Sequence, residues 1–236
     1  MTGTHPLRIL VGLLAAVLLT TACTPATGTD PQTTQTPEPQ PFVREAPFGS
    51  EFSRDGTLQS HIRINGIDFV YTVWSAKATP RMQEWYPKGD KFFSFSFQAY
   101  DTRRRLRDPF ATKRLVWLER TQITSSTTTK SGTVESPYAL DARAEDITFD
   151  PEPRTLRRRG MLITSPKGAF ELRNQAIKDM ADDTEGVTLT FRFTVHVQAK
   201  PGSRRYFRRD VVQELPIAIF SSEYATRPQP VPYNAT

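Results

Sequence analysis

Along Val187–Gln198, apolar and polar residues alternate without a break. Val187, Leu189, Phe191, Phe193, Val195 and Val197 fall on one side, and Thr188, Thr190, Arg192, Thr194, His196 and Gln198 on the other. A period of two places successive side chains on opposite faces of a strand, so this segment has one apolar and one wet face. Phe191 and Phe193 are predicted to point into a core, with Arg192 and Thr194 facing water. A helix cannot satisfy this pattern, because it would spread the same residues around its whole circumference.

The same period recurs elsewhere. Phe93, Phe95 and Phe97 alternate with Ser94, Ser96 and Gln98. Ile62 and Ile64, then Ile67, Phe69, Tyr71 and Val73, flank Asn65-Gly66, a dipeptide suited to the positive φ angles of a tight hairpin turn. Leu115, Trp117 and the Thr/Ser-rich run to Thr129 predict another long strand. Further strands are predicted over Asp146–Phe149, Thr155–Thr164, Tyr206–Val212 and Pro216–Phe220, with Pro201-Gly202 as a turn. One helix is predicted over Asn174–Asp183, where Ala176, Ile177, Met180 and Ala181 share a face and Asn174 caps. The fold class is therefore all-β: an antiparallel β-sandwich of immunoglobulin-like architecture with one short helix. A β-barrel is the alternative, since it shows the same alternation.

The chain carries a single cysteine, Cys23, so its core must hold without an intramolecular disulfide. Upstream of Cys23 lie Arg8, an apolar run over Ile9–Leu19, and the small residues Thr20, Thr21 and Ala22. This is the layout of an export signal. The run is shorter than the ~20 residues a membrane-spanning helix needs. Leu19-Thr20-Thr21-Ala22-Cys23 resembles the lipobox of bacterial lipoproteins. The resemblance covers residues 1–23 and implies that Cys23 is acylated, that residues 1–22 are removed, and that the product is anchored to the outer face of the cell membrane. A plain export signal would instead leave Cys23 as a free thiol. Residues 23–41 are rich in Thr, Pro and Gln and read as an extended linker. A domain is expected over 42–225, followed by a Pro-spaced tail over 226–236.

Few residues suggest chemistry. His61 follows Ser60, and His196 lies on the wet face of the alternating strand. Neither G-x-S-x-G nor H-E-x-x-H occurs. An enzyme would need His61 or His196 in a deep pocket beside carboxylates. Carboxylates gather at Asp141–Asp150 and Asp179–Glu185, without the spacing of a calcium loop, and read as solvated loops. No cofactor and no metal site is expected. Trp85-Tyr86-Pro87 reads as a plug at an open end of the sandwich.

Arginine recurs in short runs along the chain. Clusters occur at Arg103–Arg105, at Arg157–Arg159, and at Arg204, Arg205, Arg208 and Arg209. Guanidinium groups bind phosphate and carboxylate in a fork geometry. Arg103, Arg104, Arg105, Arg204, Arg205, Arg208 and Arg209 are the candidate anion-binding residues. With a net charge of +6, the chain suits an anionic envelope polymer or lipid head groups. Export argues against nucleic acid as a partner. The reading is a non-catalytic ligand- or protein-binding domain on a membrane-anchored lipoprotein. A structural or assembly accessory with an envelope protein partner, or a hydrolase with an unrecognised site, are the alternatives.

Overall fold

The computed structural model describes residues 48–50, 56–75 and 85–220. The chain partitions into Met1–Val43 and Arg44–Thr236, and the second unit contains every described residue. Cys23, residues 1–22, the linker over 23–41 and the tail over 226–236 lie outside the described residues.

Two antiparallel sheets pack face to face as an all-β sandwich and do not close into a barrel. The first begins with β1 (Thr57–Ile64) and β2 (Ile67–Ser75), joined at Asn65-Gly66. Asn65 (φ 51°) and Gly66 (φ 76°) both take the left-handed conformation that the two-residue turn requires. Next come β3 (Lys91–Asp101) and, at its other edge, β8 (Phe170–Ile177).

The second sheet is built on β4 (Val116–Thr129) and β9 (Thr184–Gln198), with β10 (Tyr206–Ala218) at one edge. Along the other side of β4 run β5 (Ala139–Arg143) and β7 (Gly160–Leu162), the latter paired with β6 (Thr155–Leu156).

The core is largely aromatic. Phe97 stacks on Phe193 at 3.9 Å between ring centroids and on Phe69 at 5.7 Å. Phe95 meets Phe191 edge-on at 5.2 Å, and Tyr71 lies 4.8 Å from Phe191. Such pairs contribute ~0.5–1.5 kcal/mol each beyond the area they bury. Three strands, β2, β3 and β9, supply these rings, and all three carry the alternation described above.

Polar residues of β4 have a different task. Ser125, Thr127 and Thr129 are buried on the inward side. Ser125 Oγ donates to Tyr138 O at 2.7 Å, Thr127 Oγ1 accepts from Glu135 N at 2.8 Å, and Thr129 Oγ1 donates to Thr133 O at 2.7 Å. The Thr/Ser run therefore fastens the segment that returns to β5, satisfying backbone groups that burial would otherwise orphan.

Four sequence expectations are corrected. Asn174–Asp183 is not helical. Residues to Ile177 continue β8, and Asn174 (φ 54°) forms a bulge there, its N–H donating to Ser94 Oγ at 3.0 Å. The bulge breaks the period of two and imitates helical spacing. The α-helix is instead one turn, α1 (Ala144–Ile147), where a strand was expected. Thr155–Thr164 is a hairpin rather than one strand, reversing at Arg158 (φ 67°). Tyr206–Ala218 is one strand, because β10 lies at a sheet edge and its Pro216 costs no ladder bond there.

Phe191 and Phe193 are fully buried and Arg192 is exposed, but Thr194 is only 3% exposed. Arg120 and Asp210 stand directly opposite it on the two flanking strands. Its hydroxyl donates to Asp210 Oδ1 at 2.9 Å.

Candidate functional site

The start of β10 decides where charge converges. Tyr206, Phe207, Arg208 and Arg209 follow one another, so alternation sends one aromatic and one arginine to each face. Tyr206 and Arg208 lie opposite Gln198 and His196 and look outward. Phe207 and Arg209 look toward the gap between the sheets.

On the outward side, the turn between β6 and β7 brings Arg157, Arg158 and Arg159 beside this strand. Gly160 (φ 83°) makes the approach possible, since a Cβ there would sit 1.8 Å from Leu118 O. Only glycine lets the hairpin rest on the β4 backbone at this point. In β4 itself a bulge between Leu118 and Arg120 leaves Glu119 as the extra residue and swings its carboxylate to His196 and Arg208.

The result is a cleft of about 350 Å³ lined by Arg157, Arg158, Arg159, His196, Tyr206 and Arg208. The Arg159 guanidinium lies 4.3 Å from the centre of the Tyr206 ring, a cation–π contact that holds it in place. Glu119 Oε2 is 2.7 Å from His196 Nε2 and accepts from Arg208 Nε at 3.3 Å. Partial burial pushes the Glu119 carboxyl up, but the His196 and Arg208 hydrogen bonds and the Arg208 charge outweigh it and hold it below the ordinary value. Glu119 is thus an ionised acceptor, and His196 Nε2 donates to it. Four guanidinium groups face this cleft against one carboxylate. Beside His196, across the ladder on β4, Trp117 is buried with its indole N–H unpartnered among the described residues.

The inward side is a mouth between the two sheets, about 250 Å³ in volume. Arg103 and Arg209 line it with Arg114, over Phe69, Val197 and Phe207. Arg114 is fully engaged. It meets Asp101 at 2.7 Å and donates to Asn65 O at 3.0 Å and Gly66 O at 2.7 Å, tying the β1–β2 turn to the end of β3. Burial pushes the Asp101 carboxyl up, and the Arg114 hydrogen bonds and charge reverse this and hold it below its usual value.

The seven arginines expected to bind anions therefore divide. Arg103 and Arg209 meet at the mouth, while Arg208 turns to the opposite face and joins Arg157–Arg159. Arg104 lines a third cleft with His61 and Asp68. Arg204 and Arg205 stay exposed at the β9–β10 turn, and Arg105 stays exposed in the loop after β3.

The two histidines among the described residues each stand beside a carboxylate, His61 Nδ1 lying 2.9 Å from Asp68 Oδ2. Ser60 does not join His61. Its side chain is on the other face of β1, donating to Gln213 Oε1 at 2.9 Å. Among the carboxylate clusters, Asp141 accepts from Arg120 and Gln122, Glu145 pairs with Arg143, and Asp183 accepts from Ser131 N.

Trp85 is fully buried, and its carbonyl accepts from Phe220 N at 2.9 Å. It stoppers the end of the sandwich opposite the mouth. Lys91 braces the same end, donating to the carbonyls of Tyr86 (3.0 Å), Pro87 (3.1 Å) and Gly89.

No protein-family model matches the chain, and no curated protein matches it.

Proposed function

We propose that this chain is an exported lipoprotein, anchored through an acylated Cys23, whose β-sandwich binds a phosphate-bearing ligand of the cell envelope without transforming it. The observation that carries the reading is the convergence of Arg157, Arg158, Arg159 and Arg208 beside His196 on one cleft. Guanidinium groups offer paired donors matched to phosphate oxygens. Among the described residues only Arg208 of these four is paired with a carboxylate, so the turn arginines keep their donors for a ligand. The net charge of +6 favours approach to an anionic surface. A wall polymer and a lipid head group share this phosphate chemistry.

Co-sedimentation of the purified protein distinguishes them. Anionic phospholipid vesicles, zwitterionic vesicles and a soluble phosphodiester wall polymer are offered in turn. Binding to at least one anionic probe is expected, weakening as salt shortens the Debye length from ~10 Å at 0.1 M to ~3 Å at 1 M. Replacing Arg157, Arg158 and Arg159 by Ser should remove most of it while the melting temperature holds. Binding that ignores both salt and these substitutions contradicts the reading. For the anchor, mass spectrometry of the mature protein should find a diacylglyceryl group on Cys23. A Cys23→Ala protein that remains membrane-bound would refute that part.

A further inference from the structure

The mouth between the sheets has a composition unlike the outward cleft. Its floor is Phe69, fully buried and stacked on the Phe97 ring of the core, with Val197 beside it. Its rim is Phe207, 47% exposed, with Arg103 and Arg209. Neither rim arginine has a carboxylate partner among the described residues. Arg103 makes one long contact, 3.5 Å, to Asn65 O. The third arginine, Arg114, has its charge cancelled by Asp101. The mouth thus pairs an apolar interior with two uncompensated positive charges at its opening.

We infer that the mouth is a binding site for a small amphiphilic anion, a single carboxylate carried on a short hydrocarbon chain. Each half of the ligand has its counterpart. The chain replaces water over the exposed Phe207 and the half-buried Ile64, above the buried Phe69 and Val197, gaining about 25 cal/mol for each Å² of apolar surface covered. The carboxylate takes the guanidinium groups of Arg103 and Arg209 at the rim, where it keeps part of its hydration. At about 250 Å³ the space is just below the ~300–1,000 Å³ of sites for drug-sized ligands, which limits the chain to a short one. An anion without a chain leaves Phe207 in water, and a chain without a charge leaves the arginines unused. The site is independent of the outward cleft, because Arg208 and Arg209 point to opposite faces of β10.

The test is calorimetric titration of the full protein in a non-ionic detergent. Octanoate is the probe. Acetate supplies the charge without the chain, and octanamide the chain without the charge. Saturable octanoate binding is expected, with acetate and octanamide each at least about tenfold weaker, the loss of one charge-assisted contact or its apolar equivalent. Arg209→Gln and Phe207→Ser should each weaken octanoate about tenfold or more. Both side chains are exposed, so the melting temperature should not move. Arg208→Gln should leave octanoate binding unchanged while lowering binding of the phosphate probes. Should Arg209→Gln fail to fold, Arg103→Gln replaces it. Absence of saturable binding at millimolar octanoate overturns the inference. So does equal binding of octanoate and octanamide, or unchanged affinity in the folded rim variants. Each of these results leaves the outward cleft standing, since that is read with vesicles and polymer.

Discussion

The two ends of the sandwich are finished in different ways. At one end Trp85 is driven fully into the core, and Lys91 draws three carbonyls of the loop between Trp85 and β3 around its ammonium group. At the other end the inward-facing residues of β10 are Phe207 and Arg209, and a gap remains between the sheets. The strand has the same alternation along its whole length. From Val211 onward its inward residues Val211, Leu215 and Ile217 are buried beneath the opposite sheet, whereas Phe207 and Arg209 reach beyond it. A period of two assigns a side chain to a face, and the facing sheet decides whether that face becomes core or site.

The largest contrast should appear on truncating one aromatic from each end. Trp85→Ala removes a fully buried side chain and should cost about 3–5 kcal/mol. Phe207→Ala removes an exposed one and should stay within about 0.5 kcal/mol. Denaturant titration of both variants checks this. Equal losses would mean that the mouth is packed as firmly as the stoppered end.

Next in size is the ion pair that fixes the open end. Asp101→Ala leaves Arg114 buried and unpaired and should cost about 3–5 kcal/mol. The folded Asp101 carboxyl lies below its ordinary value. Its contribution is therefore complete above the unfolded value of ~3.9 and is lost as pH falls through that value and the lower folded one. Stability of the native protein should drop over this acid range, and Asp101→Ala should drop less. Parallel slopes in a pH series of denaturant titrations would assign the acid loss to other carboxylates.

Thr194→Ala should cost less than either core change, about 1 kcal/mol, the worth of one hydrogen bond to Asp210. A change indistinguishable from zero would make Thr194 the water-facing residue that the alternation alone implies.

That residue marks the limit of what can be read from the chain. The strands β1, β2, β3, β4 and β9 were legible because each carries apolar residues on one face or a two-residue turn beside it. No helix forms at 174–183, where a left-handed Asn174 shifts the register, and no residue type announces a bulge. Thr194 is covered by neighbours on adjacent strands, which only the sheet order reveals. The arginine clusters are visible in the chain, but their grouping in space is not. Arg208 and Arg209 are adjacent in the chain and on opposite faces of the strand. Arg157–Arg159 reach Arg208 only because Gly160 sits against the Leu118–Glu119 peptide. A glycine immediately after an arginine run was the one available signal for that turn.

Because those adjacent arginines serve different faces, one paired measurement bears most directly on the outward cleft as the phosphate site. Binding of anionic phospholipid vesicles or phosphodiester polymer, whichever the native protein retains, is compared at low salt for Arg208→Gln and Arg209→Gln. The two variants lose the same charge from the same strand, so a purely diffuse electrostatic attraction would weaken equally in both. The structure predicts a loss of about tenfold or more for Arg208→Gln and little change for Arg209→Gln. Equal weakening, or a larger loss for Arg209→Gln, would contradict the account.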